Sequence, residues 1–434
     1  MSRLSTLHRA ALAAALGLCA VAASAQDVLI RGARVHTAGS AGTLENTDVL
    51  VQGGVIRAIG PGLAAPAGVP VHDAGGRPLT PGLFGGITGI GLEEVSGEAA
   101  TVDHALALGG ALPPQQVQMR PEFDVTPAYN PRSTLVPVAR QEGLTWTLLG
   151  ASAVPGGTII GGLGGPVRLD GGWEAPYAGT RVLFIALGAG HAPLAGNTRA
   201  AEYMLLQQAL AEARSPAAGG AQPMLTGAGR AALARHLGAN AAPTVIQVER
   251  AADLRQVLRI AREAGLRPVI AGASEGWVVA SELAAADATV FIDALVNLPG
   301  SFDQLGARLD NAALLHAAGV PVAFTQSGDA SHNARKVRQL AGNAVANGLP
   351  WEAGLAGLTA VPADALGLGD RLGRIEVGKV ADLVLWTGDP LELTSVPSAV
   401  WMDGRATSLR SRQTELRDRY LRPAGALPRA YPAR

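Results

Sequence analysis

Between residues 144 and 347, short β-type runs alternate with longer helical runs, and this alternation restricts the fold more than any other feature of the sequence. The β-type runs are 144–149, 181–187, 243–248, 267–273, 288–293 and 320–325. The helical runs are 198–214, 252–265, 276–286, 303–318 and 333–347. Strands that alternate with helices on short connections build a parallel sheet covered by helices. This number of units fits an α/β chain of the (β/α)8, TIM-like barrel type. In such a barrel, inward side chains at the C-terminal ends of the strands face the reaction site. Residues 150–172 break the rhythm with Pro155-Gly156-Gly157 and then Gly161-Gly162-Leu163-Gly164-Gly165-Pro166. They read as loops over the barrel mouth.

The two chain ends have a different texture. Residues 27–36 and 48–59 are β-type, and Gly53-Gly54 marks a hairpin turn. A matching set lies at 373–386 and 399–405. Residues 408–434 read as one charged amphipathic helix followed by a Pro-containing tail. Residues 1–25 have the order of a secretory signal: Arg3 and Arg9, an apolar run at 10–23, then Ala23-Ser24-Ala25 as a small-residue cleavage site. The apolar run is short for a membrane span, so export to the periplasm is expected, without stable membrane insertion. The only cysteine, Cys19, falls inside this segment, which leaves the mature chain with no thiolate nucleophile or thiolate ligand. Lys+Arg and Asp+Glu both number 35. That balance gives no electrostatic case for nucleic acid.

Residues 79–94 carry the sequence Leu-Thr-Pro-Gly-Leu-Phe-Gly-Gly-Ile-Thr-Gly-Ile-Gly-Leu-Glu-Glu. The stretch resembles the first barrel strand of the amidohydrolase superfamily, Pro-Gly-Leu-Ile-Asp-x-His-x-His-x-Gly, with Pro81, Gly82, Leu83 and Gly91 in place. The element Gly378-Lys379-x-Ala381-Asp382-Leu383-Val384 is also similar to the superfamily, as are Asn130-Pro131, 139–145 and 331–345. Secreted imidazolonepropionase-like amidohydrolases have the most similar pattern. The resemblance implies four parts: a signal peptide at 1–25, a small composite β-sandwich from 26–78 plus 368–410, a barrel at 79–367, and a C-terminal helix and tail at 411–434. It also implies hydrolysis of a non-peptide C–N bond of the cyclic amide type, with a divalent metal held by imidazoles.

The residues at the metal positions depart from that pattern. Residues i and i+2 of a strand share one side, and here the histidine pair is Ile87 and Gly89. The frame 268–273, aligned with the superfamily's fifth strand, places Gly272 at a histidine position. The region 289–298, aligned with the sixth, offers Asp293 and Asn297. The frame 319–327 places Ser327 at the aspartate position, with Asp329 two residues on. Without imidazoles the usual lowering of the pKa of a bound water is lost. No metal ligand is therefore assigned and no cofactor is expected, with zinc or another divalent metal only if the site has moved. The remaining polar groups near the mouth give the candidates. Asp329 and His332, three apart, form an oriented base or else a helix cap with an exposed first-turn histidine. His191 directly follows a strand. Glu93, Gln326, Asn333 and Arg335 are candidate substrate contacts. His36, His72, His236 and His316 read as structural. The implied partner is a small-molecule ligand, with a homo-oligomer or a metal-competent paralogous subunit as the protein partner. A non-catalytic periplasmic binding protein is the alternative to an enzyme.

Overall fold

A computed structural model of the chain describes residues 27–109 and 118–421. The signal-like segment with Cys19 and the Pro-containing tail lie outside these residues. Five strands open the described chain: β1 (Val28–His36), β2 (Thr43–Gln52), β3 (Val55–Gly60), β4 (Val71–Asp73) and β5 (Pro78–Pro81). Eight barrel strands follow: β6 (Leu83–Thr88), β7 (Leu144–Leu149), β8 (Ile160–Arg168), β9 (Val182–Ala186), β10 (Pro243–Val248), β11 (Arg267–Gly272), β12 (Thr289–Ile292) and β13 (Val322–Phe324). The chain then returns through β14 (Leu383–Trp386), β15 (Pro397–Met402) and β16 (Arg405–Ala406).

The two ends form one sheet in the order β16-β15-β14-β5-β1-β2-β3, with β4 beside β1. The β2–β3 hairpin turns at Gly53 and Gly54, both at positive φ (61° and 76°), which a side chain would resist. The path bends back on itself. Gly378 N donates to Ile56 O, Ile56 N to Lys379 O, and Ala381 N to Gly54 O. The Gly378–Val384 motif therefore seals the sheet, and its core is Val28, Ile30, Val35, Val49, Leu79, Leu383 and Trp401. A short helix at Arg412–Tyr420, capped by Ser411, ends the described chain.

The second sheet runs β6 to β13 in sequence order, as expected for the TIM-like barrel. Its β6–β7 pairing and every pairing from β9 to β13 are parallel, whereas β8 is antiparallel to both neighbours. The ends of the sheet approach each other where Ile87 N donates to Thr325 Oγ1 at 2.9 Å. Phe84, Trp146, Phe291, Val245, Val269 and Ala323 fill the interior, with Phe84 packed on Trp146 (centroids 4.5 Å apart) and Phe291 (5.7 Å). A helical coat covers the outside, chiefly α1 (Leu135–Gln141), α2 (Arg199–Arg214), α3 (Gly227–Ala234), α4 (Ala251–Ala264), α5 (Ala280–Ala285), α6 (Asn311–Ala317), α7 (Ala330–Asn333) and α8 (Val337–Ala346). No described helix is long and apolar enough to cross a membrane.

Several sequence expectations fail here. Residues 160–168, read as a glycine-rich loop over the mouth, form the almost wholly buried strand β8. The glycines serve close approach rather than turning. A Cβ on Gly164 would collide with the Leu149 carbonyl oxygen, and one on Gly162 with the Phe123 carbonyl oxygen. The extra strand also shifts the count. Residues 267–272 and 289–292 are the sixth and seventh strands of the sheet, not the fifth and sixth. The expected single helix at 303–318 is a short turn at Phe302–Gln304 followed by α6.

Overpacking a filled interior costs about 1–3 kcal/mol. Gly164→Ala should therefore lower the thermal unfolding midpoint by several degrees. Gly190→Ala, where a Cβ meets nothing, should leave it in place. Equal midpoints for Gly164→Ala and the wild type would contradict the close-approach account of β8.

Candidate functional site

The C-terminal ends of the barrel strands open into a cavity of about 630 Å³. That is within the usual range for a small-molecule site. Its apolar wall includes Ile87, Phe184, Val245 and Ile292, and its polar wall includes Glu93, His104, His191, Glu249, Asp293 and Asp329.

The end of β6 shapes one side. Ile87, which the sequence resemblance aligns with an imidazole position, packs where a Cβ on Gly150 would touch it at 2.8 Å. A side chain on Gly89 would meet Ser331 Oγ at 3.0 Å, His104 Cδ2 at 3.2 Å and Glu93 Oε2 at 3.4 Å. Those three groups thus converge on the space beside Gly89. Ser331 ties them together: its Oγ accepts from Gly89 N at 2.9 Å and donates to Glu93 Oε2 at 3.0 Å. His104 Nε2 lies 3.7 Å from the same oxygen, and its Nδ1 is buried without a partner.

A parallel substitution shapes the floor. β10 and β11 run in register, with Val248 beside Gly272. A Cβ on Gly272 would lie 2.5 Å from Glu249 Oε1. The carboxyl of Glu249 therefore fills the place of a sixth-strand side chain. Glu249 Oε2 accepts from Ser274 N (3.1 Å) and Ser274 Oγ (2.6 Å). Burial pushes this carboxyl above the usual carboxylate range, and the Ser274 hydrogen bonds oppose the shift. Asp293, after β12, is held the same way, its Oδ2 accepting from Ser327 N (2.9 Å) and Ser327 Oγ (2.6 Å).

The other flank carries His191, after β9. Burial holds its imidazole below the ordinary histidine range, against a hydrogen bond with the Leu187 backbone. The loop before it is clamped from below. Both oxygens of the fully buried Glu202 accept from Gly188 N at 3.1 Å, and Ala189 N donates to Asp303 Oδ2 at 2.7 Å. Desolvation raises Glu202 to about 7, partly offset by the Gly188 hydrogen bond.

Past β13, Asp329 takes φ 42°, the left-handed region, and its side chain makes no cap hydrogen bond. Its Oδ1 instead meets His332 Nδ1 at 2.8 Å, while His332 Nε2 meets Glu94 O at 3.1 Å. A carboxylate and a carbonyl both accept, so this geometry assigns a proton to each ring nitrogen. Burial disfavours the charged ring, but the Asp329 and Glu94 hydrogen bonds outweigh it and raise the His332 pKa. His332 thus straps the Glu94 loop to α7 through both ring nitrogens.

Of the residues singled out from sequence, Glu93, His191, Gln326 and Asp329 line the cavity, whereas His332, Asn333 and Arg335 lie outside its lining. His104, Gln304, Arg308 and Asn311 line it as well, and the sequence reading assigned them no site role. Glu249 had a usable signal, as a carboxylate directly after a strand. His104 had none, since it reaches the cavity only through a long loop.

The superfamily is usually metal-dependent, and one group of ligand-type atoms does cluster. Glu93, Asp329 and His332 each place one within 4.8 Å of the others. The donor chemistry does not fit. His332 has both nitrogens on acceptors, and Glu93 Oε2 is taken by Ser331. The space beside Gly272 is filled by Glu249.

Comparison with known proteins agrees with this architecture. Residues 236–407 match the model of the Amidohydrolase family. The chain is 52% identical over 59 residues to the amidohydrolase tasK of Hapsidospora irregularis, a match covering 14% of this chain and 6% of that protein. It is 45% identical over 102 residues to an imidazolonepropionase of Aromatoleum aromaticum, covering 23% and 25% respectively. It is 50% identical over 58 residues to a dihydroorotase of Geobacter sp., covering 13% of each. These matches span no more than a quarter of the curated relatives. In fold, 88% of the chain overlays the whole of an amidohydrolase from Thermotoga maritima MSB8, with TM-score 0.75 at 23% identity.

The strap gives a pH prediction. A histidine whose folded pKa is raised contributes stability that is complete below its unfolded pKa, about 6.5, and is lost as pH rises through the folded value. The gap in unfolding midpoint between wild type and His332→Gln should be larger at pH 5.5 than at pH 9. A gap independent of pH would contradict the doubly protonated strap.

Proposed function

Starting from a chain that belongs to the amidohydrolase superfamily, we propose that it binds a small molecule at the barrel mouth without the superfamily's imidazole-held metal centre. The replacement of side chains at the strand ends carries the reading. Ile87, Gly89 and Gly272 stand at imidazole positions, and Ser331, Glu93, His104 and Glu249 have closed over the spaces. A site that had only lost its ligands would be left with voids. Here Ser331, Glu93 and Glu249 fill the space as hydrogen-bonded groups, with His104 beside them.

By family, the nominal activity is hydrolysis of a non-peptide C–N bond, and two relatives are named as an imidazolonepropionase and a dihydroorotase. The metal-activated form of that reaction requires a water of lowered pKa, and the donor set here does not provide for one. The chain's own groups still offer a neutral imidazole at His191 and a carboxyl at Glu249 with raised pKa, both in contact with the cavity. These orient and hydrogen-bond a ligand. The proposed setting is the periplasm, from the order of charge, apolar run and small residues in 1–25. Pairing with a metal-competent paralogue is the proposed alternative to a lone binding protein.

A second reading follows from the clustering of Glu93, Asp329 and His332, in which a divalent ion displaces the strap and occupies a relocated site. Turnover of hydantoin and dihydrouracil with and without added zinc separates the two. The metal-free reading expects no zinc-stimulated hydrolysis. Zinc-stimulated turnover that disappears in Glu93→Gln and His332→Ala would establish the relocated site instead.

A further inference from the structure

Three carboxyl groups line the cavity without an arginine or lysine partner among the described residues. Glu249 and Asp293 form no ion pair, and Glu93 has His104 at 3.7 Å and lies within 4.8 Å of His332. The fourth, Asp329, is matched by His332 at 2.8 Å. The nearby arginines are committed elsewhere. Arg250, next in the chain to Glu249, pairs with Asp253 at 2.8 Å. Arg199 bridges Asp253 and Asp303. Arg308, the only arginine or lysine in the lining, is paired with Asp310 and stacked on Trp277 at 4.7 Å.

Buried carboxyl groups are normally paired, because burial without a counter-charge is costly. Glu249 shows that cost directly in its burial-raised pKa. The Ser274 hydrogen bonds engage its Oε2, and Gln304 adds a further side-chain hydrogen bond. Gly272 leaves the carboxyl uncovered on the β11 side, where it contacts the cavity. Across the same cavity lie Ile87, Phe184, Val245 and Ile292. The chamber thus combines two carboxyl groups without an ion pair, Glu249 and Asp293, with an apolar wall, at a volume suited to a small organic molecule.

Resting on the metal-free reading above, we infer that the ligand is an organic cation: an amine or amidine whose charged nitrogen pairs with Glu249 and whose apolar body lies against Ile87 and Phe184. The cation supplies the counter-charge that the chain withholds.

Calorimetric titration of the full chain in EDTA tests this with three probes of one shape: benzylammonium, benzyl alcohol and benzoate. Benzylammonium should bind, benzyl alcohol at least about tenfold more weakly, and benzoate not at all. Glu249→Gln should weaken benzylammonium by about tenfold or more, the scale of a lost charge-assisted hydrogen bond. Thermal unfolding of this variant would check that it folds, and the three-probe comparison on the wild type stands without it. Binding of benzyl alcohol or benzoate as tight as that of benzylammonium would overturn the cation assignment while leaving a metal-free ligand cavity. Binding of none of the three, or unchanged affinity in a folded Glu249→Gln, would also overturn it. Stoichiometric zinc in the same preparation before EDTA would overturn the underlying reading instead.

Discussion

The position of the first barrel strand depends on a pairing between the two ends of the chain. β5 lies antiparallel to β14, with Leu79 opposite Leu385, Thr80 opposite Val384 and Pro81 opposite Leu383. Gly82 N then donates to Asp382 O at 2.8 Å, and β6 begins one residue later. The buried Trp386 Nε1 donates to Thr80 Oγ1 at 2.9 Å across the same junction. Residues 306 apart in the sequence, Thr80 and Trp386, thus help fix where Ile87 and Gly89 stand. Everything at the mouth is built against that edge.

Under the proposed metal-free reading, the site is a set of replacements that fit one another. Removing an imidazole from a barrel mouth leaves a void or a stranded polar group, and both are costly. Gly89 allows Ser331, Glu93 and His104 to converge. Gly272 allows Glu249 to fold into the space beside β11, where Ser274 holds it. On the far side, the Asp329–His332–Glu94 strap uses the one imidazole of α7 as a cation that joins two loops. The chamber is rich in carboxyl groups, and the nearby Arg199, Arg250 and Arg308 pair instead with Asp253, Asp303 and Asp310.

Much of the fold was legible because its signals are local. The parallel strands at 144–149 and 243–248 appear with those bounds, and the Gly53-Gly54 hairpin turns where expected. The Gly378–Val384 motif pointed to the composite sheet that it seals. β8 was missed because glycine has two opposite uses. It permits turns, and it also permits backbone to approach backbone, as at Gly164 against Leu149. Sequence does not separate the two. That miss then displaced the strand count and hid Glu249 at the end of the fifth strand. Ile87, Gly89 and Gly272 were singled out in the sequence, but the groups that pack around them were not. His104 and Ser331 reach Gly89 through tertiary packing, from 15 residues away and from 242 residues away.

The central claim is that the mouth has been rebuilt to work without a metal. The metal content of the chain, purified from its native compartment with no chelator and no added metal, tests it most directly. The account predicts zinc, manganese, iron, cobalt and nickel all far below one per chain in protein that is folded and monodisperse. One equivalent of any of them, lost on substituting Glu93, Asp329 or His332, would contradict it.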